Sequence, residues 1–418
     1  MTIDEHLFRR ESGRMVSALT RVFGMHNLAL AEDVVQDALC RALEVWKFRG
    51  VPENPSAWLM TAAKNRALDV LRRERTARTF APELAKVLED ESTVTPTLDG
   101  LLSPDAIRDD ELRMMFSCCH PRLPEEVQVA LVLNVLCGFA TREIASAFLC
   151  TTAAMDKRIA RGKKALAQTK SLFDLGTPLE FPARLAAVQR ALYLSFNEGY
   201  HGAGVSAVRT ELCDEAIRLV SLLLEHPPSA TPATHALAAL MCFHAARLPA
   251  RLDAAGDLIP LREQDRTRWD ERLVTDGRRL LDRSATGPEL TDYHVEAAIA
   301  SVHADPLVTD DERWERIVSL YDTLLSIRRS PVVALQRALA VAERDGAERG
   351  LSALRAIEDA ERLARYPFYF AALGELELRR GEHDEAAQHF RAALGLARND
   401  LERRFLAGRL ARCESDRE

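Results

Sequence analysis

The sequence predicts an all-α protein built from three consecutive helical domains. At about 150 residues per domain, the 418 residues suggest two or three domains. Aromatic residues make up only 6% of the chain, and no run of alternating Val, Ile or Thr indicates a strand. Apolar residues recur instead with a helical period from one end of the chain to the other.

The composition and charge exclude several classes of protein. An apolar share of 47% and a charged share of 28% are typical of a globular chain. The formal net charge of −7 argues against a uniformly basic nucleic-acid coat, so any DNA contacts must come from local patches. No stretch has the about 18 consecutive apolar residues that a membrane helix needs. The sequence therefore predicts no membrane partner.

The cysteines and the N-terminal sequence indicate the reducing cytoplasm. The eight cysteines show no CxxC spacing, and MTIDEHLFRR lacks the regions of a signal peptide. Cys118, Cys119 and His120 are adjacent, but neighbouring side chains point about 100° apart on a helix. No second Cys/His pair lies at ligand spacing. We therefore expect buried thiols there, no zinc site and no cofactor.

Three helices are predicted in the first domain, residues 1–80. They lie near residues 5–23, 31–46 and 55–76. The third has Asn54 as its N-cap and Pro55 at its first position, where the missing N–H costs nothing. The helical pattern then breaks over an acidic linker, residues 81–103, where Thr, Pro and Gly separate acidic side chains.

A helix-turn-helix is predicted in the second domain, residues 104–175. The helix TREIASAF precedes a short turn and the helix TAAMDKRIARGKKAL, residues 152–166. In this motif the second helix lies in the major groove and the first crosses the DNA backbone. The cations on and beside its outer face are Lys157, Arg158, Arg161, Lys163 and Lys164. Arg can bond guanine and Lys mostly meets phosphate; a solvated basic helix is the alternative.

The helix at 55–76 combines an aromatic side chain with polar and basic ones. Its buried stripe is expected to comprise Met60, Ala63, Ala67 and Val70. Another face would carry Trp58, Asn65, Asp69 and Arg72, flanked by Lys64, Arg66 and Arg73. An aromatic platform with amide and guanidinium groups suits the capture of unstacked bases. The alternative is that Trp58 belongs to the core and the arginines only solubilise the helix.

The helix at 31–46 has an acidic outer face. It is expected to bury Val35, Leu39, Ala42 and Trp46. The outer face would carry Asp33, Gln36, Asp37 and Glu44. An acidic face suits a protein partner better than DNA, whose phosphates repel it. A merely solvated face is the alternative.

Paired helices are predicted in the third domain, residues 181–418. The pair at 368–397 places small and aromatic residues at tetratricopeptide-like offsets, namely Gly374, Ala386, Phe390 and Ala393. One period of about 34 residues earlier, the same positions hold Ala340, Ser352, Ala356 and Asp359. The pattern predicts a helical solenoid whose concave groove suits a helix or an extended peptide of a protein partner.

Taken in order, several segments resemble an RNA polymerase sigma factor of the extracytoplasmic-function type. They are LALAEDVVQDALCRALEVW, NPSAWLMTAAKNRALDVLRRE, the acidic linker, and EIASAF followed by KRIARGKKAL. The resemblance covers about the first 170 residues. It implies that 1–80 is sigma region 2, which binds core RNA polymerase and melts the minus-10 promoter element. Residues 104–175 would be sigma region 4, which reads the minus-35 element.

This resemblance implies three sets of candidate residues in a protein that is not an enzyme. The core-polymerase contacts would be Asp33, Gln36 and Asp37. The minus-10 DNA contacts would be Trp58, Asn65, Arg66, Asp69 and Arg72. The minus-35 DNA contacts would be Arg142, Lys157, Arg158, Arg161 and Lys164.

The remainder resembles the tetratricopeptide-like extension of one large group of these sigma factors. The matching segments are MMFSCCHP, ALYLSFNEGYHG, LREQDRTRWD and PVVALQRALAVAERDG. The resemblance implies that the extension modulates activity by docking on the sigma domains or by binding a partner peptide. Two departures concern the recognition helix: Ala154-Met155 stands where many members have Thr-Val, and Arg161-Gly162 where many have Arg-Ala.

Two other functions fit parts of the sequence. A helix-turn-helix regulator that binds duplex DNA without core polymerase would need neither the acidic face of 31–46 nor an exposed Trp58. A metal-dependent hydrolase would be centred on Glu198 and His201, although an Asn and a Glu near a helix end more often brace it. No GxxxxGK[ST], HExxH or dinucleotide-binding loop is present.

Overall fold

The regular elements of the described chain are helices, which confirms the predicted fold class. The structure is a computed structural model that describes residues 5–73, 104–120, 122–148, 150–168, 175, 177–201 and 209–415. The predicted acidic linker, residues 81–103, lies outside the described residues. The chain divides into two compact units, Met1–Asn197 and Glu198–Glu418, here called unit 1 and unit 2.

The helices up to residue 201 follow the sequence-based expectation closely. They are α1 Glu5–Phe23, α2 Leu28–Arg49, α3 Pro55–Arg73, α4 Pro104–Cys118, α5 Glu125–Leu131, α6 Thr141–Ala147, α7 Thr152–Ala167 and α8 Phe181–His201. α2 begins three residues before the predicted start, because Gly24 at a φ of 84° turns the chain into it after α1. Gly24 adopts this left-handed conformation without steric cost.

α3 begins as the sequence predicts. The backbone N–H of Ala57 donates to Asn54 Oδ1 at 3.0 Å, and Pro55 is the first helical residue. The buried residues of the helix include Leu59, Ala63, Ala67 and Val70. Met60, which the spacing assigned to this stripe, is only half-buried. Three of the four predicted positions are therefore buried, and Leu59 takes the place of Met60, because α1 and α2 together decide which side is covered.

α1 joins the first and second predicted domains within unit 1. It packs against α2 and α3, and also against α4 and the π-helical turn Val132–Leu136 that continues α5. A Cβ added to Gly13 would lie 1.9 Å from the carbonyl oxygen of Leu136. A Cβ on Gly138 would lie 2.8 Å from the carbonyl oxygen of Arg9. The two glycines therefore allow the backbones of the two domains to touch.

Three ion pairs cross the same junction. They join Arg9 to Glu143 at 2.8 Å, Lys163 to Glu32 at 2.5 Å and Arg21 to Asp110 at 3.2 Å. The Arg9 guanidinium also lies over the Phe139 ring, 4.8 Å from its centroid. The first two pairs are partly exposed, and pairs of this kind contribute about 0–1 kcal/mol each, whereas the Asp110 side chain of the third is buried. The close glycine contact and the apolar packing around it therefore hold the junction more firmly than these charges do.

Asp110 makes the stability of unit 1 depend on pH. Its side chain is fully buried, and burial, partly offset by Arg21, raises its pKa from 3.8 to about 7. The folded state keeps a proton that the unfolded state has released, so this carboxyl lowers stability as the pH rises from about 4 to about 7. The Asp110→Asn variant should lack this contribution, which amounts to at most about 1.4 kcal/mol per pH unit. Urea unfolding of both proteins measures their free energies of unfolding across this pH range. If the two free energies changed with pH in the same way, the pKa of Asp110 would not be raised.

The remaining helices pack mainly against their neighbours in the chain, and their connections are short except for the one between α10 and α11. They are α9 Thr210–Glu225, α10 Pro232–Ala246, α11 Glu271–Ser284, α12 Asp292–Ala304, α13 Asp310–Ile327, α14 Pro331–Asp345, α15 Ala347–Arg355, α16 Pro367–Arg379, α17 His383–Gly395 and α18 Asp400–Ser415. α10 is buried on nearly every side and forms the centre of the first part of unit 2.

The predicted helix pair at 368–397 is confirmed as α16 and α17. The Phe390 ring packs on Gly374, where an added Cβ would lie 3.1 Å from the ring. The register one period earlier is wrong, because three of its four positions are exposed, namely Ser352, Ala356 and Asp359. The tight contact there joins Gly350 to Ala342, since a Cβ on Gly350 would lie 2.3 Å from the Ala342 Cβ. The crossing of α14 and α15, rather than the sequence period, decides which small residues meet.

An irregular segment, residues 251–270, lies against α14, α16 and α18. Arg262 pairs with Glu343 of α14 at 3.3 Å and with Glu375 of α16 at 3.1 Å. Arg409 of α18 pairs with Glu263 at 2.8 Å. The first helices of successive pairs form one layer of a helical solenoid. Residues 262 and 263 of the chain itself therefore occupy the side of these helices that carries Glu343, Glu375 and Arg409.

Candidate nucleic-acid and polymerase interface

α6 and α7 form the helix-turn-helix. Thr151 caps α7 by accepting the backbone N–H of Ala154 at 3.2 Å. Met155 and Ile159 of α7 are buried, as is Ile144 of α6, and the two helices pack together. These apolar contacts fix the inner side of α7, so its opposite side faces the solvent.

Four cations on this motif are exposed, namely Arg142, Lys157, Arg161 and Lys164. Arg161 Nε donates to the carbonyl oxygen of Lys157 at 3.1 Å, which holds its guanidinium along the helix. In the part of the chain that the structure describes, none of the four has a carboxylate within ion-pair distance. Their charge is therefore available to phosphates or base edges.

Two other cations of α7 are bound to acidic side chains. Arg158 Nη2 lies 3.0 Å from Glu126 Oε2, and Lys163 pairs with Glu32 across the junction between the domains. The Glu126 side chain is 68% exposed, so its pair with Arg158 is weak and exchangeable. Arg158, a sequence-predicted minus-35 contact, would have to leave Glu126 to reach DNA.

Gly162 lies where α7 packs closely against α5. A Cβ there would lie 2.8 Å from Val127 Cγ1 and 3.0 Å from Leu131 Cδ1. The close approach of α5 therefore favours glycine, although glycine costs a helix about 1 kcal/mol relative to alanine. The departure at Arg161-Gly162 thus has a structural cause on the side of α7 away from the exposed cations.

The predicted minus-10 residues occupy different environments on α3. Asn65 and Asp69 are exposed, whereas Trp58 is half-buried with its ring edge against Trp46, at a centroid distance of 5.4 Å. The side chain of Arg72 lies outside the described residues. Trp58 therefore combines both sequence-based interpretations, because it packs on the core and keeps part of its surface accessible.

The predicted polymerase contacts Asp33, Gln36 and Asp37 are all exposed on α2. Asp37 Oδ2 accepts a hydrogen bond from Arg66 Nε of α3 at 2.7 Å. This contact links the candidate polymerase set to the candidate minus-10 set. Gln36 also lines a cleft of about 380 Å³ between α1, α2 and the segment that follows α5.

Two apolar residues of the same helix face were missed by the sequence reasoning. Leu43 is 47% exposed and Phe48 is 84% exposed. Leu43 lies two helical turns after Gln36, and Phe48 lies three turns after Asp37. This spacing along the helix places both side chains on the acidic face, so the sequence did contain a signal for them. Exposed aromatic and aliphatic side chains beside polar ones are common anchors of protein interfaces.

Among the described side chains, the cysteines and the acid of the alternative metal sites are buried or half-buried. Cys118 and Cys119 are buried, and burial raises the pKa of Cys118 to about 12. Glu198 is half-buried, and the side chain of His201 lies outside the described residues. Across the described ranges, no group of three His, Cys, Asp or Glu side chains could hold a metal ion. Within the same ranges, every helix is too short or too polar to cross a bilayer.

Comparisons with known proteins match three parts of the chain. Sigma-70 region 2 matches residues 7–77, and Sigma-70, region 4, matches residues 113–166. A family of unknown function (DUF6596) matches residues 184–285. A protein of Rhizobium meliloti (strain 1021), described only as uncharacterized, is 38% identical over 394 residues, covering 94% of this chain and 91% of the relative. No solved structure matches the chain.

Proposed function

Because this chain belongs to the sigma-70 family, with the architecture of an extracytoplasmic-function sigma factor, we propose that it directs core RNA polymerase to specific promoters by reading two DNA elements. Proteins of this family bind core RNA polymerase and promoter DNA, and they are not enzymes. The hydrolase hypothesis centred on Glu198 and His201 is therefore wrong. One observation carries the proposal. The same chain has exposed cations on the helix-turn-helix of α6 and α7, and aromatic and polar side chains suited to unpaired bases on α3.

The minus-35 element is assigned to α7. Its exposed Lys157, Arg161 and Lys164 lie on the side opposite the buried Met155 and Ile159. A recognition helix inserted in the major groove presents such side chains to base edges and to the flanking phosphates. Arg142, at the start of α6, suits a phosphate contact beside the groove.

The minus-10 element is assigned to the outer side of α3. The accessible part of Trp58 offers a stacking surface, and Asn65 and Asp69 offer groups for base edges. Extruding a base costs a few kcal/mol, which stacking and hydrogen bonds in a protein pocket offset. Arg66 can exchange its exposed partner Asp37 for a phosphate at little cost.

The core-polymerase contact is assigned to the outer face of α2. Asp33, Gln36 and Asp37 provide the polar part, and we add Leu43 and Phe48 as apolar anchors. A face of this composition matches the usual anatomy of protein interfaces, with apolar side chains beside polar ones. It also repels DNA, which keeps the two kinds of partner apart.

Replacing Asp37 with alanine should weaken binding to core RNA polymerase about tenfold, equivalent to about 1.4 kcal/mol. The fold should survive, because the Asp37 side chain is 54% exposed and an exposed pair contributes about 0–1 kcal/mol. Glu53→Ala is the matched control, since Glu53 is an exposed acid in the turn before α3. Fluorescence titration of core enzyme measures both variants. If the Asp37→Ala and Glu53→Ala variants bound core enzyme with equal affinity, Asp37 would not be part of the polymerase contact.

Reading both elements requires the two sigma regions to separate. The elements are centred about 25 base pairs apart, which is roughly 85 Å of B-DNA at about 3.4 Å per base pair. A compact unit of about 200 residues has a radius of gyration of about 16 Å, so it cannot span that distance. We therefore propose that the junction around Gly13 and Leu136 holds a closed form of the factor. Binding of core polymerase to α2 would open it, since Glu32 and Gln36 line the cleft beside region 4.

The C-terminal extension is proposed to modulate activity, through the sigma domains or through a protein or peptide partner. A chain of residues 1–197 is expected to transcribe less than the full chain from the same promoter. Ending the chain at residue 197 keeps most of α8, which stacks Phe181 on Phe116 and pairs Arg190 with Glu125. Run-off transcription with both chains measures the effect, and equal yields would make the extension dispensable for initiation.

Run-off transcription with purified core enzyme tests the proposed function itself. Templates come from chromatin immunoprecipitation of the tagged protein, which also supplies the shared promoter elements. We expect transcripts that start at one position and require both core enzyme and this chain. A regulator that binds duplex DNA alone would occupy the template without producing such a transcript.

A further inference from the structure

Two sequence motifs that the sigma regions do not use meet in unit 2. Tyr200 belongs to ALYLSFNEGYHG, and Arg266 and Trp269 belong to LREQDRTRWD. Arg247, at the end of α10, lies between them, with its guanidinium carbon 6.0 Å from the Tyr200 ring centroid and 5.6 Å from that of Trp269. The guanidinium carbon of Arg266 lies 5.9 Å from the centroid of the same Trp269 ring. Two guanidinium groups therefore converge on one indole.

This convergence has an excess of positive charge. The hydrogen-bond acceptor of the half-buried Arg247 side chain is the neutral Gln264 Oε1 at 3.4 Å. Across the residues that the structure describes, neither Arg247 nor Arg266 has a carboxylate within ion-pair distance. Desolvation lowers the pKa of Arg247, and the neighbouring Arg251 adds to the effect. A half-buried guanidinium without an anion is costly, because a charge out of water needs a partner.

Neighbouring side chains add to this excess. Arg313 of α13 is 7% exposed and is held by Asp310 and by the carbonyl oxygens of Asp305 and Val308. Burial and repulsion by Arg247, Arg266 and Arg313 lower the pKa of His303 to about 3. His303 is therefore neutral at physiological pH, so it adds no further cation beside the arginines.

The indole of Trp269 provides the second observation. Trp269 is 7% exposed, and its Nε1 is a buried donor without an acceptor within the described residues. A buried N–H without an acceptor loses the hydrogen bonds that it makes with water in the unfolded chain, so such groups are rare in folded proteins. An indole N–H can donate but cannot accept. Its missing partner must therefore be an acceptor atom.

We propose that Arg247, Arg266 and Trp269 bind the oxyanion group of a small molecule, either a phosphate or a carboxylate. The two guanidiniums would supply charge-assisted hydrogen bonds, and the indole N–H would add one more donor. One anion satisfies the unpaired donor and balances the two cations. Arg266 is exposed, so a ligand can reach the site from its side. The extension would thereby hold a ligand site built from residues other than those proposed to contact DNA and polymerase.

Isothermal titration of the full chain with inorganic phosphate, and separately with succinate, tests the site at constant ionic strength. We expect one saturable site for at least one of the two anions, and the preferred anion identifies the ligand chemistry. The indole N–H resonance of Trp269 should move downfield on binding, whereas those of Trp46, Trp58 and Trp314 should not. The Trp269→Phe variant assigns that resonance.

Variants locate the binding. Arg266→Gln should weaken it about tenfold or more, since it removes a hydrogen bond between two charged groups. Arg272→Gln, an exposed arginine on the nearby start of α11, is the matched control and should leave affinity unchanged. A chain with Lys157→Glu and Arg161→Glu should also retain the site, which separates it from phosphate bound on α7. Absence of saturable binding by both anions, or equal affinity in Arg266→Gln, would overturn the proposal.

Discussion

Transcription from promoters that depend on a minus-35 element is expected to fall about 100-fold when Lys157 and Arg161 are both replaced by glutamate. Each good contact to a base or its neighbouring phosphate contributes about 1–3 kcal/mol, and every 1.4 kcal/mol is about tenfold in affinity. Both side chains are exposed, so the unfolding temperature should not change. Run-off transcription and thermal unfolding of the same preparations measure the two effects.

The matched control for this double reversal is Arg122→Glu. Arg122 is an exposed cation of the same domain, but it lies in the turn before α5 rather than on the helix-turn-helix. Its reversal should leave transcription near the parental level. An equal loss in both proteins would mean that overall charge, and not the face of α7, governs promoter use. If the double variant transcribed as well as the unsubstituted protein, α7 would not contact the minus-35 element.

Replacing Gly13 with alanine should open unit 1 and increase the apparent affinity for core RNA polymerase. The added Cβ would lie 1.9 Å from the Leu136 carbonyl oxygen, so α1 and the π-helical turn could not stay in contact. Overpacking of this kind costs about 1–3 kcal/mol. If only the open form binds polymerase, the same energy raises its population and hence the apparent affinity by up to about 5–150-fold.

Thermal unfolding and fluorescence titration with core enzyme separate these effects. The variant should melt at a lower temperature and bind core more tightly. Gly408→Ala is the control, because that helical glycine of α18 has open space around it. The control should gain about 0.5–1 kcal/mol from helix propensity alone and should not change core binding. Weaker core binding by Gly13→Ala would mean that the junction is part of the active form.

Local signals in the sequence predicted much of the fold. Asn54 and Pro55 start α3 where capping preferences require, and helical periodicity located α1 and the helix-turn-helix. These features depend on residues within a few positions of one another. The exposure of Asp33, Gln36 and Asp37 was predicted for the same reason, since one helix alone fixes which residues share a face.

Features that depend on distant segments could not be predicted in this way. The cation Lys163 looked like part of the DNA-facing surface, but Glu32, 131 residues earlier, binds it. Gly13 carries no local signal of its role, because its neighbour is the carbonyl oxygen of Leu136 in another domain. The repeat register around Gly350 failed for the same reason. Arg247 and Trp269 come together only through the packing of the extension, so their shared site needed the structure.

The footprint of the reconstituted holoenzyme on a target promoter tests the central claim most directly. Nuclease protection should cover two elements centred about 25 base pairs apart, and thymines in the downstream element should react with permanganate because the strands are melted. Both signals should require core enzyme and this chain together. Protection of a single duplex element by the chain alone, with no reactive thymines, would contradict the account and favour a regulator that acts without polymerase.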